Sequence, residues 1–379
     1  MEKVRIGGYI KQIRGVSYKP TDLHNDLNAD SVILLRANNI SEGKVNFDDV
    51  VYVDKSKVKE EQYLKKGDIL VCASSGSKEL VGKAAFVKKD FTATFGAFCK
   101  LIRPTACIAE YLGHYFNSQI YREKISSLAL GANINNIRNE HIDELCICFP
   151  NEMSQKSISL ILNKVTDLIN KRKEQLDKLD ELVKARFVEL FGNGHDGKTP
   201  VKMLGSICKF QQGTQIPVEE QFEEQIAGYK RFLRIVDYTQ ASQPPRYVNV
   251  NGKEVDEKSV VIVRYGATAG FVGRGYQGIL ANNLFEIMPD ETILSKEFLF
   301  LALKYGTFEK EVHDKAFGAA MPALSFSMMN DIPVVVPMAK QQSQFVSFAE
   351  QTDKSKLEVQ KSLEKLELLK KALMQKYFG

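Results

Sequence analysis

A chain of 379 residues, 44% of them hydrophobic and 26% charged, is too long for one ordinary core and too apolar for wholesale disorder. No apolar run approaches the roughly 20 residues that span a bilayer, and Met1-Glu2-Lys3-Val4-Arg5 lacks the apolar stretch of a secretory signal, so a cytoplasmic protein without membrane contact is expected. The net charge of +5 names no nucleic-acid partner by itself, because near-neutral domains bind DNA only where their basic groups gather on one face.

In chain order, residues 1–150 alternate short β-branched runs with Gly, Asn, Asp and Pro turns, which predicts strands at Ser31–Leu35, Val50–Val53 and Ile69–Cys72. A helical pattern follows at Ile108–Leu128, then a last strand, Leu145–Phe149, that stops at Pro150. Residues 151–192 predict a long helix. Ile158, Leu162, Val165, Ile169, Arg172, Leu176, Leu179, Val183, Arg186 and Leu190 recur in alternating steps of four and three, the spacing of a heptad seam that buries a narrow stripe against a partner helix. Asn193-Gly-His-Asp-Gly197 reads as a polar stop within a linker at 193–198. With Gly192 before it, the segment spells GxGxxG, but a helix precedes it where a dinucleotide site needs a strand.

Residues 199–337 repeat the mixed pattern, with strands expected at Phe232–Val236, Val260–Val263 and Phe285–Met288, a helix at Ser295–Lys315 and a last strand at Ile332–Val336 before Pro337. A second long helix at 338–379 carries Leu363, Leu366, Leu369, Leu373 and Tyr377 on its seam, interrupted at Thr352 and Lys356. Ser154 and Ser343 stand where helix caps are expected. A helix of about 37 residues spans roughly 55 Å, and neither can bury its seam alone. The fold expected is mixed α/β: two tandem modules, each followed by a long helix, with the two helices forming an antiparallel coiled coil of pseudo-twofold symmetry.

The repeat is explicit. Shifted by 187 residues, Pro150 falls on Pro337, Gln155 on Gln342, Leu176 on Leu363, Leu179 on Leu366, and Phe191-Gly192 on Phe378-Gly379. Gly131-Ala132 likewise meets Gly318-Ala319, and Glu110-Tyr111-Leu112 meets Glu297-Phe298-Leu299. The fronts agree only in outline, Val4–Gly15 echoing Val201–Gly213. A variable front on a constant tail suggests one scaffold presenting two different surfaces.

No catalytic constellation is found. The six cysteines form no CxxC pair, and Cys146-x-Cys148 reads as two strand thiols, so reduced cysteines and no metal site are expected. The five histidines show no HxxxH spacing, and Gly76–Lys83 resembles a phosphate-binding loop but has one residue too many and no magnesium-holding hydroxyl. There is no G-x-S-x-G elbow and no Asn/Asp-Pro-Pro-aromatic tetrad of a base methyltransferase. What remains are polar and basic loops suited to phosphates and base edges. These are Arg14, Ser17, Tyr18, Lys19, Ser74, Ser75, Ser77 and Lys78 in the first module, and Gln211, Gln212, Thr214, Gln215, Arg264, Tyr265, Thr268 and Arg274 in the second. The seam candidates are Leu176, Leu179, Val183, Leu190, Leu363, Leu366, Leu373 and Tyr377.

Strand, proline, glutamine, long heptad helix, Phe-Gly, and then all of it again resembles the specificity subunit of type I restriction–modification systems. The likeness covers the whole chain and is strongest in Ile332–Pro337 with Gln342, in Cys146–Gln155 and in the helices; Ser154 and Gln341 stand where that family often has Glu. The resemblance implies two target-recognition domains, each gripping half of a split double-stranded DNA site, with the helices as a ruler for the unread gap. It implies a non-catalytic chain docking two methyltransferase subunits and motor–nuclease subunits, with S-adenosylmethionine, ATP and magnesium held by those partners. The alternatives are a recognition subunit of another restriction–modification type and a coiled-coil scaffold that never touches DNA.

Overall fold

Runs of β-branched residues separated by turns build two four-stranded sheets in the first module of the computed structural model, which describes residues 3–77, 79–128, 135–192, 197–240, 243–316 and 323–379. The first sheet has the order β10 (Ala84–Phe86), β8 (Ile69–Cys72), β12 (Cys99–Pro104), β2 (Ile10–Arg14), all antiparallel. The second runs β11 (Ala93–Phe95), β4 (Ser31–Leu35), β7 (Val51–Asp54), β3 (Leu23–His24), with β11 parallel to β4. Three two-stranded pairs complete it: β1 (Lys3–Arg5) with β14 (Cys146–Cys148), β5 (Ile40–Ser41) with β6 (Lys44–Val45), and β9 (Ser74–Ser75) with β13 (Asn135–Asn136). Successive side chains of β8 point to opposite faces. Ile69 and Val71 therefore join the core under α1 (Ala109–Phe116) and α2 (Gln119–Leu128), while Leu70 and Cys72 join a second core with Phe95 and Leu101. A short α3 (Asn139–Asp143) precedes β14, and α4 (Glu152–Phe191) follows it.

The second module reuses the plan. β15 (Val201–Met203) pairs with β24 (Pro333–Val335), with α5 (Leu204–Ile207) next in the chain. One sheet runs β21 (Val272–Gly273), β20 (Val260–Val263), β23 (Leu284–Pro289), β16 (Cys208–Gln212), matching the first module strand for strand. The other runs β18 (Arg246–Val248), β17 (Lys230–Leu233), β22 (Gly278–Leu280), β19 (Glu254–Val255), again with one parallel pair, β17 with β22. The alternation recurs too: Val260 and Ile262 face one core, Val261 and Val263 another. The helices are α6 (Ile235–Thr239), α7 (Lys296–Tyr305), α8 (Phe308–Ala316), α9 (Phe326–Asn330) and α10 (Ala339–Phe378).

Three details differ from expectation. Each expected front helix is broken in two, α1/α2 at Asn117-Ser118 and α7/α8 at Gly306-Thr307. The strand expected to reach Val236 stops at Leu233, because the Asp237 carboxylate accepts the Arg234 amide and turns the chain into α6. Ser154 and Ser343 lie inside their helices; the Asn151 carboxamide caps the Ser154 amide, and Gln341 accepts from the Met338 amide. Residues 193–196 of the expected linker, and Gly131-Ala132 and Gly318-Ala319 of the repeat, lie outside the described residues.

The chain divides into two units, Met1–Arg172 with Ser362–Gly379, and Lys173–Lys361. Each long helix therefore contributes to both. In the second unit Phe345 of α10 lies 5.4 Å from Phe187 and 5.5 Å from Phe191 of α4, while Lys356 reaches back to Asp180. Residue numbers fall along one helix as they rise along the other, so the segments pack antiparallel. In the first unit Ile158 and Leu162 share a core with Met374 and Phe378, while Asn163, Thr166 and Asp167 line the same cavity as Lys370. The packing there is antiparallel as well.

Among the seam candidates Val183 and Leu363 are buried, and Leu176, Leu179, Leu190, Leu366, Leu373 and Tyr377 are half-buried. The stripe leaves heptad spacing at the end of α4: Arg186 is exposed and paired with Glu189, and Phe187 and Phe191 are buried instead. Leu369 is 46% exposed, off the seam. The two interruptions are accommodated: the buried Thr352 hydroxyl donates to the Phe348 carbonyl, and Lys356 to Asp180.

The glutamines are fastenings between helix and module. Gln155 accepts from the Ile108 amide and donates to the Pro150 carbonyl; its counterpart Gln342 accepts from the Ser295 amide and donates to the Ile293 and Pro337 carbonyls. Leaving such groups buried and unpaired costs about 1–3 kcal/mol each, less where a rearrangement supplies another partner. Gln342→Leu should destabilise the second unit by roughly 2–4 kcal/mol and Gln155→Leu the first by less, read as a fall in the denaturant midpoint at constant slope; midpoints equal to the wild type would contradict this role. A second expectation concerns acid. Burial holds His114 of α1 down to about 4, against the hydrogen bond that Asn163 makes to its ring. The unfolded chain therefore binds the extra proton first, and first-unit stability should decline as pH falls from about 6.5 toward 4. His114→Gln should flatten that slope; an unchanged slope would assign it to other groups.

Candidate nucleic-acid interface

Two glycines set the position of the loops. A Cβ on Gly15 would lie 2.1 Å from the Gly96 carbonyl oxygen, and one on Gly213 would lie 2.1 Å from that of Ala281. Each glycine lets the strand leaving the first sheet (β2 or β16) cross against the turn that follows the parallel strand of the second. Val16 then bridges Gly96, and Thr214 bridges Ala281.

The same backbone hydrogen bonds tie further loops to that crossing in both modules. The Ala73 amide donates to the Phe98 carbonyl, and the Arg264 amide to that of Asn283. The Ile137 amide donates to Ala73, and Leu324 to Arg264. Gly96 donates to Leu35, and Ala281 to Leu233, so the residues after them, Arg36 and Arg234, arrive at the same end. At these equivalent points Ala73 and Phe98 stand against Arg264 and Asn283, while Arg36 and Arg234 are alike.

In the first module these loops enclose an open cleft of about 840 Å³ lined by Ser17, Tyr18, Arg36, Asn38, Ser74, Ser75 and Phe98. Four of these were expected from the sequence. Arg36, Asn38 and Phe98 were not, since nothing in their local pattern distinguishes them. Phe98 is 72% exposed, and Asp49 anchors the Arg36 guanidinium at 3.0 Å and the Asn38 carboxamide at 2.7 Å. Arg14 and Lys19 are exposed nearby in sequence, the Lys19 amide donating to Asp22. Ser77 shapes its turn, its hydroxyl accepting from the Glu79 amide, and Lys78 lies outside the described residues. Beyond it, the turn at residues 79–82 is braced by Arg122, which donates to the Glu79 and Val81 carbonyls.

In the second module Gln211, Gln212 and Gln215 are exposed. The Thr214 hydroxyl is committed to the scaffold, accepting from the Lys253 amide. Arg264 lies 4.7 Å over the Tyr265 ring and donates to the Leu324 carbonyl, and Thr268 is exposed on the same loop. Arg274 is placed elsewhere: it follows the strand whose Gly273 pairs with Val261, at the opposite end of β20 from that loop, and stacks 4.2 Å over Phe300. Asn282 and Asn283, which the sequence reading passed over, occupy the turn that Ala97 and Phe98 occupy in the first module. Asp237, its side chain fully buried, fixes Arg231 at 3.0 Å and Arg234 at 3.1 Å.

Among the described residues no group of three or more His, Cys, Asp or Glu gathers as a metal site, and no helix is long and apolar enough to cross a membrane. Burial pushes the Cys99 thiol up to about 12 and Cys107 to about 11, which keeps both protonated and poorly nucleophilic.

Residues 4–178 and 198–368 each match the family described as the type I restriction modification DNA specificity domain. The chain is 41% identical over 173 residues to the StySPI type I restriction enzyme specificity subunit of Salmonella potsdam, a match covering 45% of this chain and 37% of that one. It is 39% identical over 191 residues to the EcoKI specificity subunit of Escherichia coli (strain K12), covering 50% and 41% respectively. These matches span about two fifths of either relative's length. The MjaIX specificity subunit of Methanocaldococcus jannaschii is 23% identical over 340 residues, covering 82% and 76%. Among solved structures, the S subunit of a type I restriction–modification system from M. genitalium superposes with a TM-score of 0.60 at 17% identity, covering 100% of this chain and 96% of that one. A chain from a study of type I system assembly gives 0.59 at 16%, covering 99% and 97%. With the domain matched twice and the fold shared along its length, this chain belongs to the family of type I restriction–modification specificity subunits.

Proposed function

We propose that the chain is the non-catalytic reading subunit of a type I restriction–modification complex, gripping one half of a split double-stranded DNA site with each module. The observation that carries this reading is the loop crossing repeated in both modules. The same backbone bonds position the same loops twice, yet Ala73, Ala97 and Phe98 of one module stand where Arg264, Asn282 and Asn283 stand in the other. A scaffold kept constant beneath a changing surface is what sequence readout requires, since base edges are distinguished by donor and acceptor pattern.

Two methyltransferase subunits, holding S-adenosylmethionine, and motor–nuclease subunits, using ATP and magnesium, would dock on the chain and supply adenine methylation and cleavage. The internal repeat supports two equivalent docking surfaces. The long helices would act as the ruler. A continuous helix of 40 residues is about 60 Å long, or about 18 base pairs at roughly 3.4 Å each, an upper bound on the unread gap. The place of action would be the cytoplasm, with the genome.

Mapping methylated adenines in host DNA tests the reading directly: a split motif should disappear when this gene is deleted, and a methylome that does not change would refute it. Inserting or deleting a heptad between residues 165 and 180 should change the permitted gap, whereas an unaltered gap would refute the ruler. Exchanging residues 1–150 for the front of a relative should alter one half-site; alteration of both would contradict modular reading. A protein scaffold that never reads DNA predicts no dependence of any motif on this chain.

A further inference from the structure

The turn after the parallel strand of the second sheet stands at the same place in both modules, fixed by the Gly15 and Gly213 crossings, yet holds Ala97-Phe98 in one and Asn282-Asn283 in the other. In the second module two glutamines brace it. Gln212 Nε2 donates to the Asn282 backbone carbonyl at 2.9 Å, and Asn282 Nδ2 donates to Gln215 Oε1 at 2.9 Å. Both glutamines are exposed and Asn282 is half-buried, so the cluster opens to solvent on the loop end of the module.

The hydrogen-bond inventory of Asn282 is then specific. A carboxamide has two N–H donors and an acceptor oxygen. Gln215 accepts from one donor and thereby fixes the side-chain plane, which leaves one N–H and Oδ1 for a ligand. Adenine presents the complement in the major groove, an N7 acceptor beside an N6 amino donor, and bidentate pairing with Asn or Gln is its usual readout. Guanine has two acceptors there and cytosine a donor without a neighbouring acceptor. Because Gln215 holds the amide in place beforehand, less rotamer entropy is lost on binding.

We propose that Asn282, oriented by Gln215, reads an adenine in the half-site gripped by the second module; the inference rests on the DNA-reading function above. Ala97, the counterpart of Asn282, and Phe98 beside it have no polar side-chain atom and cannot make this pair, so the requirement belongs to one half-site.

The test uses the full chain produced with the methyltransferase subunit of its own host, with the motif read from N6-methyladenine in genomic DNA. Asn282→Asp removes the N–H that pairs with N7 and leaves acceptors that suit cytosine N4. One position of the second half-site should lose its adenine preference by roughly 10- to 100-fold, moving toward cytosine, while the first half-site stays as it was. Gln215→Ala spares the turn's backbone bonds and should relax the same position by a smaller factor; it decides the matter alone if Asn282→Asp does not accumulate. A motif unchanged in both variants, or a change in the first half-site, overturns the assignment. If no split motif depends on the wild-type chain, it is the DNA-reading function itself that has failed, an outcome distinct from either.

Discussion

Two long helices that cannot cover their own apolar stripes set the architecture. A seam every three or four residues needs a partner along its length, and each α/β module also needs its open core closed. The aromatic ends of the helices meet both needs. Phe191, at the end of α4, packs edge-on at 5.2 Å against Phe298 of the second module, and Phe378, at the end of α10, packs 5.0 Å from Tyr111 of the first. These are equivalent contacts under the 187-residue repeat, made with the helices exchanged. The helix that grows out of one front therefore completes the core of the other, which requires opposite helix directions in both units.

The exchange also explains which residues repeat so faithfully. Gln155 and Gln342 fasten the beginning of each helix to the module before it, and Phe-Gly closes the core at the far end. A change at either kind of position would strand buried backbone groups or open a cavity. The loops between are under no such demand. The first module can carry Phe98 where the second carries Asn283, because the backbone carbonyl makes the same hydrogen bond in either case. Stability resides in main chain and helix, which leaves these loop side chains free to differ between the modules.

Much of this was legible before any coordinates. The repeat, the proline that ends each last strand and the heptad steps gave the tandem plan, and buried runs such as Ile69–Cys72 and Val260–Val263 read as strands because four apolar β-branched or compact residues in a row can serve two cores at once. The loop residues were only partly legible. Ser17, Tyr18, Ser74 and Ser75 meet in one cleft, but Arg36, Asn38 and Phe98 come from segments distant in sequence, joined there by long-range backbone bonds that leave no local pattern. Arg274 was grouped with the loop candidates because it is basic and lies just beyond Arg264–Thr268 in the chain; the antiparallel register instead carries it to the far end of the strand, onto Phe300. The heptad rule placed Arg186 on the seam, where Phe187 and Phe191 take over because the partner there is a module core rather than a helix alone.

The most direct test of the exchanged, antiparallel packing is zero-length carbodiimide coupling of the native chain, which joins carboxylates to amines already in contact. Lys356 touches Asp180 on the other helix and Asp353 on its own. Peptide mass spectrometry of the monomer should find the Asp180–Lys356 isopeptide. Recovery of the local Asp353–Lys356 product without it, or of the Asp180 link exclusively in covalent dimers, would contradict the packing on which the rest depends.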